Sequence, residues 1–187
     1  KYQKEKTFLE IGNQNVIREG VTINRGTVQE KSLTKIGSNN LIMAYCHIAH
    51  DCEIHDEVVL VNNASLAGSV KIQTGAILGG FTLVHQFCKV GQYSFSAMGS
   101  SIGKDIPAFV RVSGNPAIPR GLNTTGIQRL NLKKEVSDNL KEAYKILYLR
   151  NFKLNDAIIE ISKKLSEISE VQILLDSISA SERGIVR

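Results

Sequence analysis

An aliphatic residue recurs every six positions between residues 36 and 95, and this period constrains the fold of the whole chain. A period of six fits neither the 3.6-residue turn of an α-helix nor the two-residue alternation of an ordinary strand. It is typical of a parallel β-helix, in which three short strands form each triangular coil. The first positions of the hexads are Ile36, Ile42, Ile48, Ile54, Leu60, Leu66, Ile72, Leu78, Val84 and Val90.

The stacking of coils predicts which side chains lie together. Residues three hexads apart lie above one another, with backbones about 4.8 Å apart. First-position side chains are expected to fill the prism. Fifth positions, which are small or β-branched after Asn40, are expected beside tight corners. The predicted coils cover 36–53, 54–71, 72–89 and 90–107, after one earlier coil that begins at Ile11 and a loop over 29–35.

Beyond residue 107 a helical period replaces the hexads. We predict a β-helix over 1–107 that begins with a loop over 1–10, an irregular linker over 108–130 and an α-helical domain over 131–187. Apolar spacing predicts three helices that cover the last coil, with Asn155 and Ser169 as N-caps. The first coil has no such cover, and a bare β-helix end exposes unpaired backbone, so we expect further coils before Lys1.

Composition and charge exclude several classes of protein. The chain has 187 residues and a net charge of +5, which is too small to indicate nucleic-acid binding by itself. No apolar run approaches the roughly 20 residues of a membrane span, and no secretory signal pattern is seen. With three cysteines at core positions, these features predict a cytoplasmic protein without stable membrane insertion.

The segment CHIAHDC at 46–52 contains the residue types of a zinc site. Its two cysteines are both fifth positions on successive faces of the prism, so both are expected to point into the core. They cannot converge with the histidines in the tetrahedral geometry that zinc prefers. We therefore predict that the chain holds no metal.

Stacking brings a different group of polar residues to one outward face. His50 is a third position, and Gly68 and Gln86 lie three and six hexads further on. His85 lies beside this column and His47 precedes it at the corner, all within about 10 Å along the axis. These residues are candidates for a catalytic site, and a polar ladder that stabilises the stacked coils is the alternative.

His50 is the natural general base of this group, because an imidazole is able to accept a proton at neutral pH. Asp51 would orient it only if the two side chains meet at a corner, since neighbours in a strand point to opposite faces. Gly68 leaves a backbone N–H open to a developing oxyanion. With no Gly-x-Ser-x-Gly motif and no exposed cysteine, direct transfer is favoured over a covalent enzyme intermediate.

Short motifs along the chain form a specific combination: IRE at 17–19, RGTV at 25–28, HIAHDC at 47–52, NNA at 62–64, LAG at 66–68, HQFC at 85–88, GNP at 114–116 and RGIVR at 183–187. This combination resembles the UDP-N-acetylglucosamine acyltransferase family over essentially the whole chain. The resemblance implies a left-handed β-helix whose first coils are absent here. It also implies transfer of an (R)-3-hydroxyacyl group from acyl carrier protein to the 3-position of UDP-N-acetylglucosamine, the first step of lipid A biosynthesis.

The resemblance also implies roles for matching residues: His50 as general base, Asp51 as its companion and the backbone of Gly68 as oxyanion donor. The implied partners are acyl carrier protein, the sugar nucleotide and two further copies of the chain in a homotrimer, with each cleft between two subunits. No cofactor is implied, because phosphopantetheine arrives on the acyl carrier protein. Substrate contacts are implied for Lys1, His47, Ser69, His85 and Gln86, and contacts near the nucleotide and phosphopantetheine for Asn123 and Arg129.

Two positions on the predicted active face depart from the family pattern. Asn24 replaces the histidine of the usual motif Ile-His-Arg-Gly, and Ser69 replaces the histidine of the usual motif Ala-Gly-His. Because some members acylate a 3-amino sugar, and an amine needs less help from a base, the 3-amino analogue is an alternative acceptor. The residues also leave open a related hexapeptide N-acyltransferase, a zinc hydratase resembling γ-carbonic anhydrase and a non-catalytic scaffold.

Met98 is a candidate determinant of acyl-chain length. It ends a third-position column of smaller residues, Ala44, Asn62 and Gly80, on the adjoining face. Three coil spacings separate it from His50, which is about 14 Å and fits a chain of about ten to twelve carbons. The alternative interpretation is that Met98 fills the core.

Basic residues cluster after the β-helix, among them Arg111, Arg120, Arg129 and Arg150. A solvated helical surface is the default interpretation. The functional interpretation is a docking patch for acidic acyl carrier protein.

Overall fold

The computed structural model describes residues 4–187, which form a parallel β-helix followed by a helical region. Strands of successive coils pair in parallel three hexads apart, so that Ile36 pairs with Ile54 and Ile54 with Ile72. The predicted fold class is therefore confirmed.

The strands form three sheets, which are the walls of a triangular prism. Wall A contains β1 (Phe8–Ile11), β4 (Leu33–Ile36), β7 (Glu53–Ile54), β10 (Lys71–Ile72) and β13 (Lys89–Val90). Wall B contains β2 (Val16–Ile17), β5 (Leu41–Ile42), β8 (Val59–Leu60), β11 (Ile77–Leu78), β14 (Phe95–Ser96), β16 (Val110–Ser113) and β17 (Ile118–Leu122). Wall C contains β3 (Thr22–Ile23), β6 (His47–Ile48), β9 (Ser65–Leu66), β12 (Leu83–Val84) and β15 (Ser101–Ile102).

The first position of each hexad lies inside the prism, as predicted. From Ile36 to Val90 these aliphatic side chains are at most 3% exposed, and the fifth-position side chains from Asn40 to Ser94 are buried beside them. Full burial of one such aliphatic side chain is worth about 1.5–3 kcal/mol. Each coil contributes three such side chains, so their burial stabilises the β-helix.

The corners of the prism use the fourth position of each hexad in the left-handed conformation. Its φ lies between 53° and 68° at ten successive corners from Asn39 to Tyr93. Among non-glycine residues, only asparagine and aspartate visit this region readily. At the other corners, including Tyr45 and Phe87, the pairing of the flanking strands imposes it.

The three walls present different chemistry to the outside. Wall A carries a charged ladder in which Lys35 and Lys71 flank Glu53. Wall B presents apolar side chains, from Leu41 and Val59 to Ile77 and Phe95. Wall C presents polar and small residues, among them Thr22, His47, Ser65 and Ser101, with Leu83 between them.

The first coil is offset from the rest by an insertion. Ile11 pairs with Ile36 and Thr22 with His47, 25 positions apart. The extra residues form a turn over 28–32, where the N–H groups of Glu30 and Ser32 donate to the Thr27 carbonyl. The predicted loops over 1–10 and 29–35 are wrong at Phe8–Glu10 and Leu33–Lys35, because those segments pair with each other as strands.

Four helices follow the β-helix in the described chain: α1 (Thr124–Arg129), α2 (Lys134–Tyr148), α3 (Leu154–Leu165) and α4 (Ser169–Ser179). The three predicted helices correspond to α2, α3 and α4. The predicted N-caps are wrong, because Asn155 and Ser169 lie inside α3 and α4, whose caps are Lys153 and Ile168. None of the helices within residues 4–187 is both long and apolar enough to cross a membrane.

The helical region covers the last coil. Ser177 of α4 accepts a hydrogen bond from the N–H of Ala108 through its Oγ, at 2.9 Å. The carboxyl-terminal segment forms a parallel bridge between Ile185 and Asp105, and Asp105 Oδ2 also accepts from Ser181. These contacts fix the helices against the end of the prism.

Candidate active site

The corner between walls C and A holds the candidate general base. Strand β6 ends at Ile48 and β7 begins at Glu53, so His50 and Asp51 form the turn between them. Gly68 occupies the same position in the next coil, and its carbonyl accepts a hydrogen bond from Phe87, which follows Gln86 in the coil after that. The structure therefore places His50, Gly68 and Gln86 in one column along this corner.

The imidazole of His50 lies against Gly68. A Cβ atom at Gly68 would stand 2.5 Å from His50 Cε1 and 2.7 Å from Nε2, which is closer than real Cβ contacts, so the ring would have to shift. The N–H of Gly68 has no hydrogen-bond acceptor among residues 4–187. The glycine thus leaves room for the ring and offers an unpaired donor beside it.

Asp51 meets His50 at the corner, where the two side chains are able to lie side by side. Its left-handed φ of 60° brings Asp51 Oδ2 to 2.9 Å from His50 Nδ1. The Asp51 side chain is fully buried, whereas that of His50 is 39% exposed. Asp51 therefore contacts the inner edge of a ring whose other edge faces solvent.

Thr27 surrounds the Asp51 carboxylate with donors. Its N–H donates to both carboxylate oxygens, at 3.0 and 3.1 Å, and its Oγ1 donates to Oδ2 at 2.7 Å. Burial raises the pKa of Asp51, but the hydrogen bonds from Thr27 and His50 outweigh it and hold the pKa below its ordinary value. The carboxylate is thus an anion that accepts from His50 Nδ1, so a neutral ring carries its proton on Nδ1 and a lone pair on Nε2.

The other candidate residues lie on wall C or at its corner with wall A. His47 Nδ1 lies 2.7 Å from Thr22 Oγ1, and exposed His85 has Nδ1 3.1 Å from the Gln86 carbonyl oxygen. Ser69 occupies the corner after Gly68, and its hydroxyl is buried without a hydrogen-bond partner among residues 4–187. Lys1 lies outside the described residues.

A cleft of about 510 Å³ opens on the first-coil side of His50. It is lined by His50, Asn24 and residues 25–29, together with Glu5 and Thr7. Sequence reasoning did not single out Thr27 because the insertion shifts the first coil out of the stacking rule. The sequence contained one indication of this: the two short apolar segments Phe8–Ile11 and Leu33–Ile36 align with each other only when the insertion is allowed.

Asn123 and Arg129 lie elsewhere, in a pocket of about 280 Å³ between wall B and α1. Asn123 is buried and caps α1, where its Oδ1 accepts from the Gly126 N–H and its Nδ2 donates to the Tyr93 carbonyl. Arg129 and Arg111 line the pocket. Within one chain the structure does not bring this pocket and His50 together.

Met98 lies at the corner between walls B and C, and its side chain is 76% exposed. It therefore does not fill the core. The N–H of Gly99 donates to the carbonyl of Gly80 one coil below, so the column that precedes Met98 stacks as expected.

The three cysteines all point into the prism, free and buried. Burial raises the pKa of each thiol, that of Cys52 and of Cys88 to about 11, so they remain protonated. Among residues 4–187 no three His, Cys, Asp or Glu side chains are grouped so as to hold a metal ion. The residues of the CHIAHDC segment are thus divided between the core, the outer face of wall C and the corner.

A profile of the bacterial hexapeptide transferases, described as six repeats, matches residues 33–68. A second profile, described as Udp N-acetylglucosamine O-acyltransferase, Domain 2, matches residues 105–186. Together with the stacked corners and the outward-facing His50, these matches define a transferase of the hexapeptide-repeat class.

Proteins named acyl-(acyl-carrier-protein)–UDP-N-acetylglucosamine O-acyltransferase from Stutzerimonas stutzeri and Pseudomonas syringae are 53% and 51% identical to this chain. Each match spans 187 residues, which is 100% of this chain and 72% of the relative. Among solved structures, LpxA from Acinetobacter baumannii has a TM-score of 0.96 at 46% identity, covering 100% of this chain and 72% of that one. UDP-N-acetylglucosamine O-acyltransferase (LpxA) from Moraxella catarrhalis has a TM-score of 0.96 at 44% identity, with coverages of 100% and 73%. The chain belongs to this family of O-acyltransferases, as its sequence motifs predicted.

Proposed function

We propose that the chain transfers an (R)-3-hydroxyacyl group from acyl carrier protein to the 3-hydroxyl of UDP-N-acetylglucosamine, in the lipid A pathway. The names of its relatives supply the donor and the acceptor. The observation that carries the chemistry is the His50 ring, which is held by Asp51 at one nitrogen and packed on Gly68. The residue roles below extend this proposal.

In the proposed reaction His50 Nε2 accepts the proton of the sugar 3-hydroxyl while that oxygen attacks the thioester carbonyl carbon. The new C–O bond places negative charge on the former carbonyl oxygen, and the N–H of Gly68 stabilises it. Collapse of this intermediate breaks the C–S bond, and the departing phosphopantetheine sulfur takes the proton from His50. No cofactor takes part, because the phosphopantetheine belongs to the acyl carrier protein.

The acceptor is tested by assaying purified chain with acyl carrier protein loaded with a 3-hydroxyacyl group. We expect UDP-N-acetylglucosamine to be acylated at least as efficiently as its 3-amino analogue. Asn24 and Ser69 line the cleft and the neighbouring corner, where the family pattern has histidine, so the assay compares both acceptors directly. Acylation of the amine alone would overturn the hydroxyl as the natural acceptor and favour an amide-forming enzyme.

We propose that the active assembly is a homotrimer with its clefts between copies. Wall B is apolar on the outside, and the apolar surface continues through Phe81, at the corner between walls B and C, to Leu83 on wall C, which are 60% and 55% exposed. Contiguous apolar surface of this kind marks an interface. A neighbouring copy that packs its wall B along wall C would bring Arg129 and the pocket at Asn123 towards His50, which supports the proposed nucleotide and phosphopantetheine contacts.

Acyl carrier protein is proposed to dock on the basic residues near that pocket. Arg111 lines that pocket with Arg129 and lines a neighbouring pocket with Arg120, so these three residues form one basic surface. Arg150, by contrast, is paired with Glu142 at 2.5 Å. An acidic carrier protein would be attracted by the surface that the three arginines form. The buried free cysteines favour the cytoplasm as the site of the reaction.

We predict that Met98 limits the length of the acyl chain. Met98→Gly should raise kcat/KM about tenfold or more for donors four carbons longer than the preferred one, since each buried methylene is worth about 0.8 kcal/mol. Competition between the two donors in one assay measures the ratio directly. An unchanged ratio in the variant would reject Met98 as the end of the groove.

A further inference from the structure

Thr27 belongs to the first coil, yet it donates hydrogen bonds to the carboxylate of Asp51 in the next coil. Asp51 receives two hydrogen bonds from the N–H of Thr27 and one from its hydroxyl. Thr27 therefore supplies donors to the Asp51 carboxylate from a different coil. The position of Thr27 is set by the insertion that shifts the first coil.

The backbone around Thr27 is tightly held. The N–H groups of Glu30 and Ser32 both donate to its carbonyl, and the N–H of Gly26 donates to the Phe8 carbonyl. A Cβ at Gly26 would stand 2.0 Å from the Leu33 nitrogen, so only glycine allows this approach. Thr27 thus presents its donors from a rigid position.

We propose that Thr27 is a positioning residue for acyl transfer: it holds the Asp51 carboxylate in the orientation that fixes the His50 ring. The inference rests on the proposed function, in which His50 is the base. A carboxylate free to rotate would contact His50 Nδ1 only part of the time, and Nε2 would then no longer be the fixed proton acceptor. The proposal adds a third residue, from another coil, to the His50 and Asp51 pair.

The hydroxyl and the backbone N–H of Thr27 make separate contributions. The N–H remains in any variant, so replacing the side chain removes one of the two donor groups that Thr27 supplies to the carboxylate. Thr27→Val removes the hydroxyl at nearly constant shape, and Thr27→Ser keeps it. Because a hydrogen bond to a charged group is worth about 1.5–3 kcal/mol, we expect Thr27→Val to lower kcat roughly tenfold or more. We expect Thr27→Ser to stay within about threefold of wild type.

A matched control separates positioning from a loss of stability. Thr34→Val is that control, because Thr34 Oγ1 accepts from the backbone N–H of Asp51 at 2.8 Å and does not contact the carboxylate. It should lower the melting temperature and leave kcat close to that of the wild type. Thr27→Val should lower kcat with KM nearly unchanged, and Thr27→Ser should restore kcat. Equal losses of kcat in the valine and serine variants, or a loss in Thr34→Val as large as that in Thr27→Val, would overturn the proposal.

A second readout does not depend on activity. Nitrogen-15 spectra of the four histidine side chains report the tautomer of each ring. We expect His50 to carry its proton on Nδ1 in the wild type and in Thr27→Ser, and to lose this preference in Thr27→Val. If the wild type fails to transfer acyl groups but the tautomer responds in this way, the proposed function fails while the positioning role stands. An unchanged His50 tautomer in Thr27→Val overturns the positioning role alone.

Discussion

His50→Ala should lower kcat for acyl transfer to UDP-N-acetylglucosamine about a thousandfold, because general base catalysis contributes about 10²–10⁴ in rate. The His50 ring is 39% exposed and lies at a corner, so its removal leaves the aliphatic core of the prism intact. The expected loss is in kcat, with KM changed much less. Steady-state kinetics with saturating acyl donor measures both.

The matched control for this variant is His55→Ala. His55 follows the wall A strand that ends at Ile54, and its Nε2 pairs with Glu53 Oε1 at 3.3 Å, away from the cleft. We expect this variant to retain wild-type kcat. A His50→Ala enzyme within about tenfold of wild type would show that another group takes the proton.

The second large effect is expected at Gly68. A methyl group at this position would collide with His50 at 2.5 Å, so Gly68→Ala should displace the imidazole from its place beside Asp51. A displacement of about 1 Å in a catalytic group costs roughly a hundredfold in rate, which is the loss we expect in kcat. The φ of Gly68 is not in the left-handed region, so alanine introduces no backbone strain. Thermal denaturation should therefore show a folded protein.

Two comparisons assign the loss to His50. Gly103→Ala introduces the same methyl group on wall C, where it would meet no atom within 4 Å, and it should retain wild-type kcat. In the His50→Ala background, Gly68→Ala should add little further loss, because its effect passes through the missing ring. Independent, multiplicative losses in the double variant would contradict this mechanism.

The stacking of residues three hexads apart predicted much of the candidate site from the sequence alone. Three-hexad spacing placed His50, Gly68 and Gln86 in one column, because parallel strand pairing keeps the register of the coils. The sequence predicted a contact between His50 and Asp51 only if the two residues lie at a corner of the prism. The structure provides that corner through the left-handed conformation of Asp51, which a hexad pattern does not encode.

Other features depended on tertiary geometry that no local pattern contains. Thr27 approaches Asp51 only because an insertion shifts the first coil, and loops of this kind have no period. Asn155 and Ser169 have the chemistry of N-caps, but α3 begins at Leu154 and α4 at Ser169 itself, so neither side chain precedes its helix. Asn123, which matches a family residue that contacts substrate, is the N-cap of the short helix α1. This helix has too few residues to produce a recognisable helical period in the sequence.

The most direct test follows the acyl group itself. Purified chain is mixed with acyl carrier protein that carries a mass-labelled 3-hydroxyacyl group, with and without UDP-N-acetylglucosamine, and the masses of all species are measured after rapid quenching. Direct transfer assisted by His50 predicts that the label leaves the carrier protein only when the sugar nucleotide is present, and that it appears on the sugar oxygen and never on the chain. An acylated form of the chain in the absence of acceptor, or no labelled sugar nucleotide at all, would contradict the mechanism.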